Sequence, residues 1–334
     1  MRLLAVFAIS FLIISCNNKT PDVSGIKINL TTERFEKNLF DTTSTTLSEY
    51  LQKLESGNSG FTQTYIDTIL GLDPRWPADS IAPIVNNFIK SYRQVYDASE
   101  KKFSNFISYE NEIKRGLQFV KYYFPSYKFP EKIITYIGPA DGVGDALTTN
   151  AFLIGLHHHL GKDFPLYKSE EVQNYYPEYI SRRFEPEYIS VNSMKNVITD
   201  IYPERNDDKT LVNQMIEKGK YLYVLSKFLP EKEEYLLIGY TKNQLKDCYE
   251  NEAVIWDLFV KNELLQIRDK NITKNYIDEG PKTQELGESS PGNIGSFCGW
   301  QIVKKYMQKN DKLSLSKLFS TDPETIFQEA KYKP

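Results

Sequence analysis

The chain has 334 residues, with 41 Lys and Arg against 44 Asp and Glu, so its formal net charge is −3. That balance leaves no basic face and argues against nucleic acid as a partner, and only three cysteines exclude a disulfide framework. Hydrophobic residues make up 40% of the chain and aromatics 13%, ample for one large domain or two small ones.

In chain order, the first element is "MRLLAVFAISFLIISC". Arg2 precedes an apolar run over residues 3–14, the length of a signal-peptide core and too short to span a bilayer. The run stops at "IISC", where an aliphatic residue, a small residue and then Cys16 resemble a bacterial lipobox. That resemblance implies cleavage after residue 15 and acylation of Cys16, with two or three acyl chains anchoring the chain durably where one would not. "NNKTPDVSG" follows and is polar, with Pro and Gly, so residues 16–25 read as a flexible tether. No later apolar run is long enough for a membrane helix, and residues 26–334 read as a single domain.

Alternation of Ile26, Ile28 and Leu30 suits a strand. Ile81, Ile84, Val85, Phe88, Ile89, Tyr92, Val95 and Tyr96 share one helical face, with Asp79 or Ser80 as cap. "YENEIKRGLQFVKYYFP" is a helix ended by Pro125. Residues 132–137 read as a strand leading into the turn "DGVGD" (141–145), which lacks the remainder of a phosphate-binding signature. "NAFLIGL" suits either strand or helix. Further helices are expected at "LVNQMIEKGKYLYVLSKFLP", with Leu211, Met215, Leu222 and Leu225 on one side, and from Thr241, where Gln244 completes a capping box. The stripe Leu245, Tyr249, Trp256 and Phe259 buries the latter. Residues 275–295 form a polar loop. "SFCGWQIVKKYM" returns to helix, with Gly295 and Gly299 spaced for close packing, and the last helix starts with Asp322 as cap and Pro323 in its first position. The fold class is therefore α+β, mainly α-helical, with a small sheet.

All three histidines lie in "LHHHLG" (156–161). On a strand His157 and His159 share a face and His158 points away; on a helix no pair has i, i+4 spacing. A metal would need a third ligand from a carboxylate or cysteine. HExxH, GxSxG, P-loop and paired CxxC motifs are absent, so no catalytic residue and no cofactor is assigned. Cys248 and Cys298 would sit in an oxidising compartment and could pair, although both fall in apolar helical patterns.

The order "RFEKNLF" (itself strand-like), "NAFLIGLHHHLGKDFPLY", "YYPEYISRRFEPEYISVNSMKNVI", "LVNQMIEKGKYLYVLSKFLP" and "SPGNIGSFCGWQIVKKYM" resembles the gliding motility lipoprotein GldB family over essentially the whole mature chain. That family is distantly similar to zinc peptidases with HExxH on one helix and a Glu-Gly on a later one. The resemblance sets residues 190–200 against the first helix, without histidine or glutamate, and leaves Glu217 as the surviving ligand type. It implies a degenerate zincin-peptidase-like helical domain: a non-enzymatic lipoprotein facing the periplasm on an undetermined membrane, needed for gliding and type IX secretion. Its partners would be the bilayer and envelope proteins of those machineries. Two alternatives remain: a metal-dependent hydrolase using His157, His159 and Glu217, and a solute- or glycan-binding lipoprotein suggested by the 23 tyrosines.

Overall fold

The computed structural model describes residues 20–41, 60–73, 75–204 and 209–334. The expected signal peptide and Cys16 lie outside the described residues. The mainly helical α+β class holds, with helices surrounding one small mixed sheet.

Strands β1 (Thr31–Arg34), β2 (Lys132–Tyr136), β3 (Ala146–Leu147) and β4 (Phe152–Gly155) lie in the order β1-β2-β4-β3. β1 and β4 both run parallel to β2, and β3 pairs antiparallel with β4. Phe152, Leu153 and Ile154 are all buried, as an uninterrupted apolar run in a covered parallel strand requires. The "NAFLIGL" segment is thus a strand.

Two expectations near the start are corrected. Residues 26–30 are not in a strand; the register pairs Thr31 to Arg34 with Lys132 to Thr135, one segment later. "RFEKNLF" is not strand-like either, because Phe35, Leu39 and Phe40 are spaced to bury one side of a short helix, α1 (Phe35–Phe40). Within the stretch read as a tether, Val23 is already fully buried.

The apolar face over 81–96 belongs to two helices, α2 (Ala78–Ser91) and α3 (Arg93–Lys102). Neither Asp79 nor Ser80 caps α2; both lie inside its first turn, after Pro77. The break at Tyr92 has a use. Its ring stacks on Phe88 at 4.4 Å and its hydroxyl accepts the Ala140 N–H at 2.8 Å, fixing the loop after β2. α4 (Ile107–Tyr123) ends before Pro125 as expected. α5 (Tyr188–Ile201) and α6 (Leu211–Phe228) follow. From Thr241 the expected long helix is again two, α7 (Lys242–Glu250) and α8 (Glu252–Lys261); the capping box is present. Leu245, Trp256 and Phe259 are buried but Tyr249 is exposed, because the break at Asn251 turns the stripe. α9 (Lys270–Ile277) extends into the expected polar loop. α10 (Ile294–Lys309), α11 (Leu315–Ser320) and α12 (Pro323–Ala330) close the chain, with the Asp322 side chain accepting the Thr325 N–H at 3.3 Å. Cys248 and Cys298 are buried free thiols.

α6 and α10 form the most extensive helix pair, and glycine sets their distance. A Cβ on Gly299 would stand 1.7 Å from the Met215 carbonyl oxygen, and one on Gly219 would stand 2.2 Å from the Gly299 carbonyl oxygen. These are backbone atoms that cannot rotate away, so the two axes would have to separate. Gly299→Leu should therefore destabilise by more than the ~1–3 kcal/mol of ordinary overpacking. Urea unfolding of purified protein measures it, and an unchanged midpoint would disprove the contact.

Candidate functional site

The histidine run is neither strand nor α-helix. It forms a short 3-10 turn over Leu156–His158 directly after β4, so His157 and His159 do not share a face. All three side chains are buried, and each meets a different set of partners.

His159 makes the tightest connections. Its Nδ1 lies 3.0 Å from the Glu185 carbonyl oxygen, and its Nε2 lies 2.8 and 3.0 Å from the two carboxylate oxygens of Asp145. A carbonyl and a carboxylate only accept, so both ring nitrogens must donate and the ring is an imidazolium. Burial alone would lower its pKa; the Asp145 carboxylate more than reverses this and raises it above the ordinary value. Asp145 also accepts the Asn192 amide of α5 at 2.8 Å and the Gly155 N–H of β4 at 3.1 Å. One carboxylate thus ties together the sheet, the histidine turn and α5.

His158 donates from Nε2 to the Ala140 carbonyl oxygen at 2.9 Å and stacks on Phe184 at 4.3 Å. Burial pushes its pKa down to about 4. Gly144 has no room for a side chain, since a Cβ there would lie 2.7 Å from His158 Nδ1. His157 Nδ1 accepts the Gly138 N–H at 3.0 Å, which places the proton of the neutral ring on Nε2. That atom is buried and has no partner among the described residues. Burial holds His157 well below the ordinary histidine range. Tyrosines fix the surrounding loops: Tyr136 donates to the Val143 and Gly144 carbonyls, Tyr167 to the His157 carbonyl at 2.6 Å, and Tyr176 to the Gly142 carbonyl at 2.9 Å.

Glu217 belongs to another part of the molecule. On α6 it takes ion pairs from Lys209 at 3.1 Å and from the fully buried Lys220 at 3.3 Å. Lys220 also donates to the Thr321 carbonyl oxygen at 2.7 Å, beyond the end of α11. Among the described residues no three His, Cys, Asp or Glu side chains are grouped to hold a metal ion; His157, His159 and Glu217 are not brought together. The candidates for the polar centre that sequence reasoning missed are Asp145 and Asn192. In the sequence Asp145 reads as the end of a tight turn, and only its closeness to the histidine run hints at more. Asn192 lies in the helix that the resemblance sets against a peptidase metal helix, and here its amide holds a carboxylate.

Fold and site together define a helical domain on a small mixed sheet, with a buried, internally hydrogen-bonded histidine centre. A family model described as gliding motility protein GldB matches residues 16–334, and the chain belongs to that family of lipoproteins. No curated protein and no solved structure matches it. Among the described residues no helix is long and apolar enough to cross a membrane.

Two measurements check the electrostatics. In the unfolded chain all three histidines protonate near pH 6.5. In the folded protein His157 and His158 stay neutral well below that, and His159 stays charged above it. From about pH 6.5 down to about 4, the unfolded chain therefore gains two protons that the folded one refuses. The histidines then remove stability at up to ~2.7 kcal/mol per pH unit, or ~1.4 per proton. Above pH 6.5 the sign reverses: His159 contributes stability that is lost as pH rises through its raised pKa. His158→Gln should cut the acid-side slope by ~1.4 kcal/mol per pH unit; an unaltered slope would contradict a neutral His158. Separately, Glu217→Gln leaves the buried Lys220 ammonium without its carboxylate and should cost about 3 kcal/mol in urea unfolding. A change below ~0.5 kcal/mol, as at an ordinary surface site, would contradict the buried pair.

Proposed function

We propose that the protein is a non-enzymatic component of the gliding apparatus and its associated type IX secretion, acting through contacts with other envelope proteins. It is held on a membrane by acylated Cys16 and faces the periplasm. The observation that carries this reading is the family match over residues 16–334, which begins on the lipobox cysteine. The chemistry of the polar centre supports it. A general base needs an unprotonated nitrogen within reach of a substrate. His159 has both nitrogens committed as donors, the Nδ1 lone pair of His157 is taken by the Gly138 N–H, and the bare Nδ1 of His158 is packed against Gly144 in a buried ring. The three rings tie loops to one another in the manner of a fold-specifying network.

Two outcomes are expected. Cys16→Ala should abolish labelling by palmitate and shift the protein from the membrane to the soluble fraction; a variant still labelled would refute the anchor. Cells carrying Asp145→Asn should glide in proportion to the folded protein they retain, as quantified by immunoblot after limited proteolysis. Normal levels of folded protein with gliding abolished would sink the scaffold reading, because loss of a catalytic group lowers turnover and leaves folding intact.

A further inference from the structure

Very little chain separates Cys16 from the domain. Thr20 and Pro21 already line a cavity of about 530 Å³ on its surface, and Val23 is fully buried. From Cys16 to Thr20 the chain spans at most ~14 Å even when fully extended. A polar headgroup layer is itself ~5–8 Å deep. A domain held by acyl chains on Cys16 therefore cannot turn this face away from the bilayer.

The cavity offers polar groups that the fold does not use. Tyr122, Tyr123 and Tyr223 line it together with Lys227. Many tyrosine hydroxyls are used within the fold: Tyr65 bonds the Ile137 carbonyl, Tyr167 that of His157, and Tyr276 the Glu285 carboxylate. The hydroxyls of Tyr122, Tyr123 and Tyr223 have no hydrogen-bond partner among the described residues. Lys227 is half-buried, with its ammonium 4.9 Å from the centre of the Tyr223 ring, and no carboxylate lies within ion-pair distance among the described residues. Asp311 also lines the cavity but does not pair with it. Burial and the nearby Lys304 lower the Lys227 pKa, as expected of a cation short of a counter-ion. Tyr122 is half exposed, and tyrosine is the residue that suits a headgroup interface, with an apolar ring and a polar tip.

We propose that this face rests on the bilayer and that the cavity seats a phospholipid headgroup, its phosphate taken by Lys227 and the hydroxyls of Tyr122, Tyr123 and Tyr223. The proposal rests on the acylation of Cys16 and goes beyond it by fixing which face meets the membrane and which lipid group is bound. Helix α4 supplies a ruler. Tyr122 lies near its end and the exposed Ile107 at its start, roughly 22 Å apart along the axis.

The test uses acylated full-length protein reconstituted in vesicles of phosphatidylethanolamine and phosphatidylglycerol. Tyr122→Cys and Ile107→Cys are spin-labelled in turn; Cys248 and Cys298 are buried. The label at 122 should be shielded from a water-soluble paramagnetic reagent and sensitive to headgroup-labelled lipid, and the label at 107 should show neither effect. Equal exposure of both labels on protein that floats with the vesicles would overturn the orientation and leave the anchor standing. Wild-type protein that neither carries acyl chains nor floats would overturn the anchor itself, and the proposal with it. Native mass spectrometry of detergent-solubilised protein addresses the cavity. It should find phospholipid retained by the wild type and retained roughly tenfold less by Lys227→Gln, the equivalent of one charge-assisted hydrogen bond. Tyr223→Phe, which keeps the ring, should weaken retention in the same direction. Equal retention by the wild type and by both variants at unchanged melting temperature would refute the headgroup site, as would a retained glycan or peptide in place of lipid.

Discussion

A buried charge must be neutralised where it lies or the fold gives way. In this protein that constraint falls on the His159 imidazolium and the Asp145 carboxylate. Taking either ion from water costs several kcal/mol, and the cost is offset only when geometry is good and the remaining lone pairs are filled. Here Asp145 accepts the Asn192 amide and the Gly155 N–H, and the second N–H of His159 is taken by the Glu185 carbonyl. The pair therefore fixes the path of the turn after β4 and the approach of α5 to the sheet. Around it, His158 packs where Gly144 leaves room, and Tyr136, Tyr167 and Tyr176 hold the adjoining carbonyls. The Nε2 of His157, unpaired among the described residues, is a cost that the rest of the network carries.

Another part of the molecule uses a different device. α6 and α10 approach until backbone meets backbone at Gly219 and Gly299, which is the sense of the "MIEKGK" and "GSFCGW" patterns. Between them these helices bury Met215, Ile216, Phe297, Trp300 and Val303. Glu217 and Lys220 share the same α6 stretch, and the lysine reaches on to the carbonyl of Thr321. A glutamate that resembles a surviving metal ligand is here half of an ion pair that docks the C-terminal helices.

Features governed by local chemistry were legible in the sequence. The Thr241–Gln244 capping box, the Asp322–Pro323 helix start and the close-packing role of Gly299 needed only neighbouring residues to be read. Features settled by distant partners were not. Ile26, Ile28 and Leu30 alternate like a strand, yet β2 pairs with Thr31 to Arg34 instead. The 81–96 stripe looks like one helix, but Tyr92 breaks it to reach the loop at Ala140. The histidine run could be read as strand or helix and is neither. The charge on His159 depends on Asp145, which Asn192 of a distant helix holds in place. The whole-chain resemblance supplied the family, and residues 16–334 bear it out.

The histidine centre ties the sheet, the turn after β4 and α5 together; on the function proposed above, contacts are left to the protein surface. The claim that carries most weight is that His159 is a fixed cation and not a base. Nitrogen NMR of ¹⁵N-histidine-labelled protein tests it directly, because protonated and bare imidazole nitrogens resonate far apart. At pH 6.5, where an ordinary histidine is half protonated, the His159 ring should be mostly protonated on both nitrogens, and Asp145→Asn should remove that signature. A neutral His159 ring at that pH, with a free nitrogen facing Asp145, would contradict the account and make the centre a candidate for proton transfer.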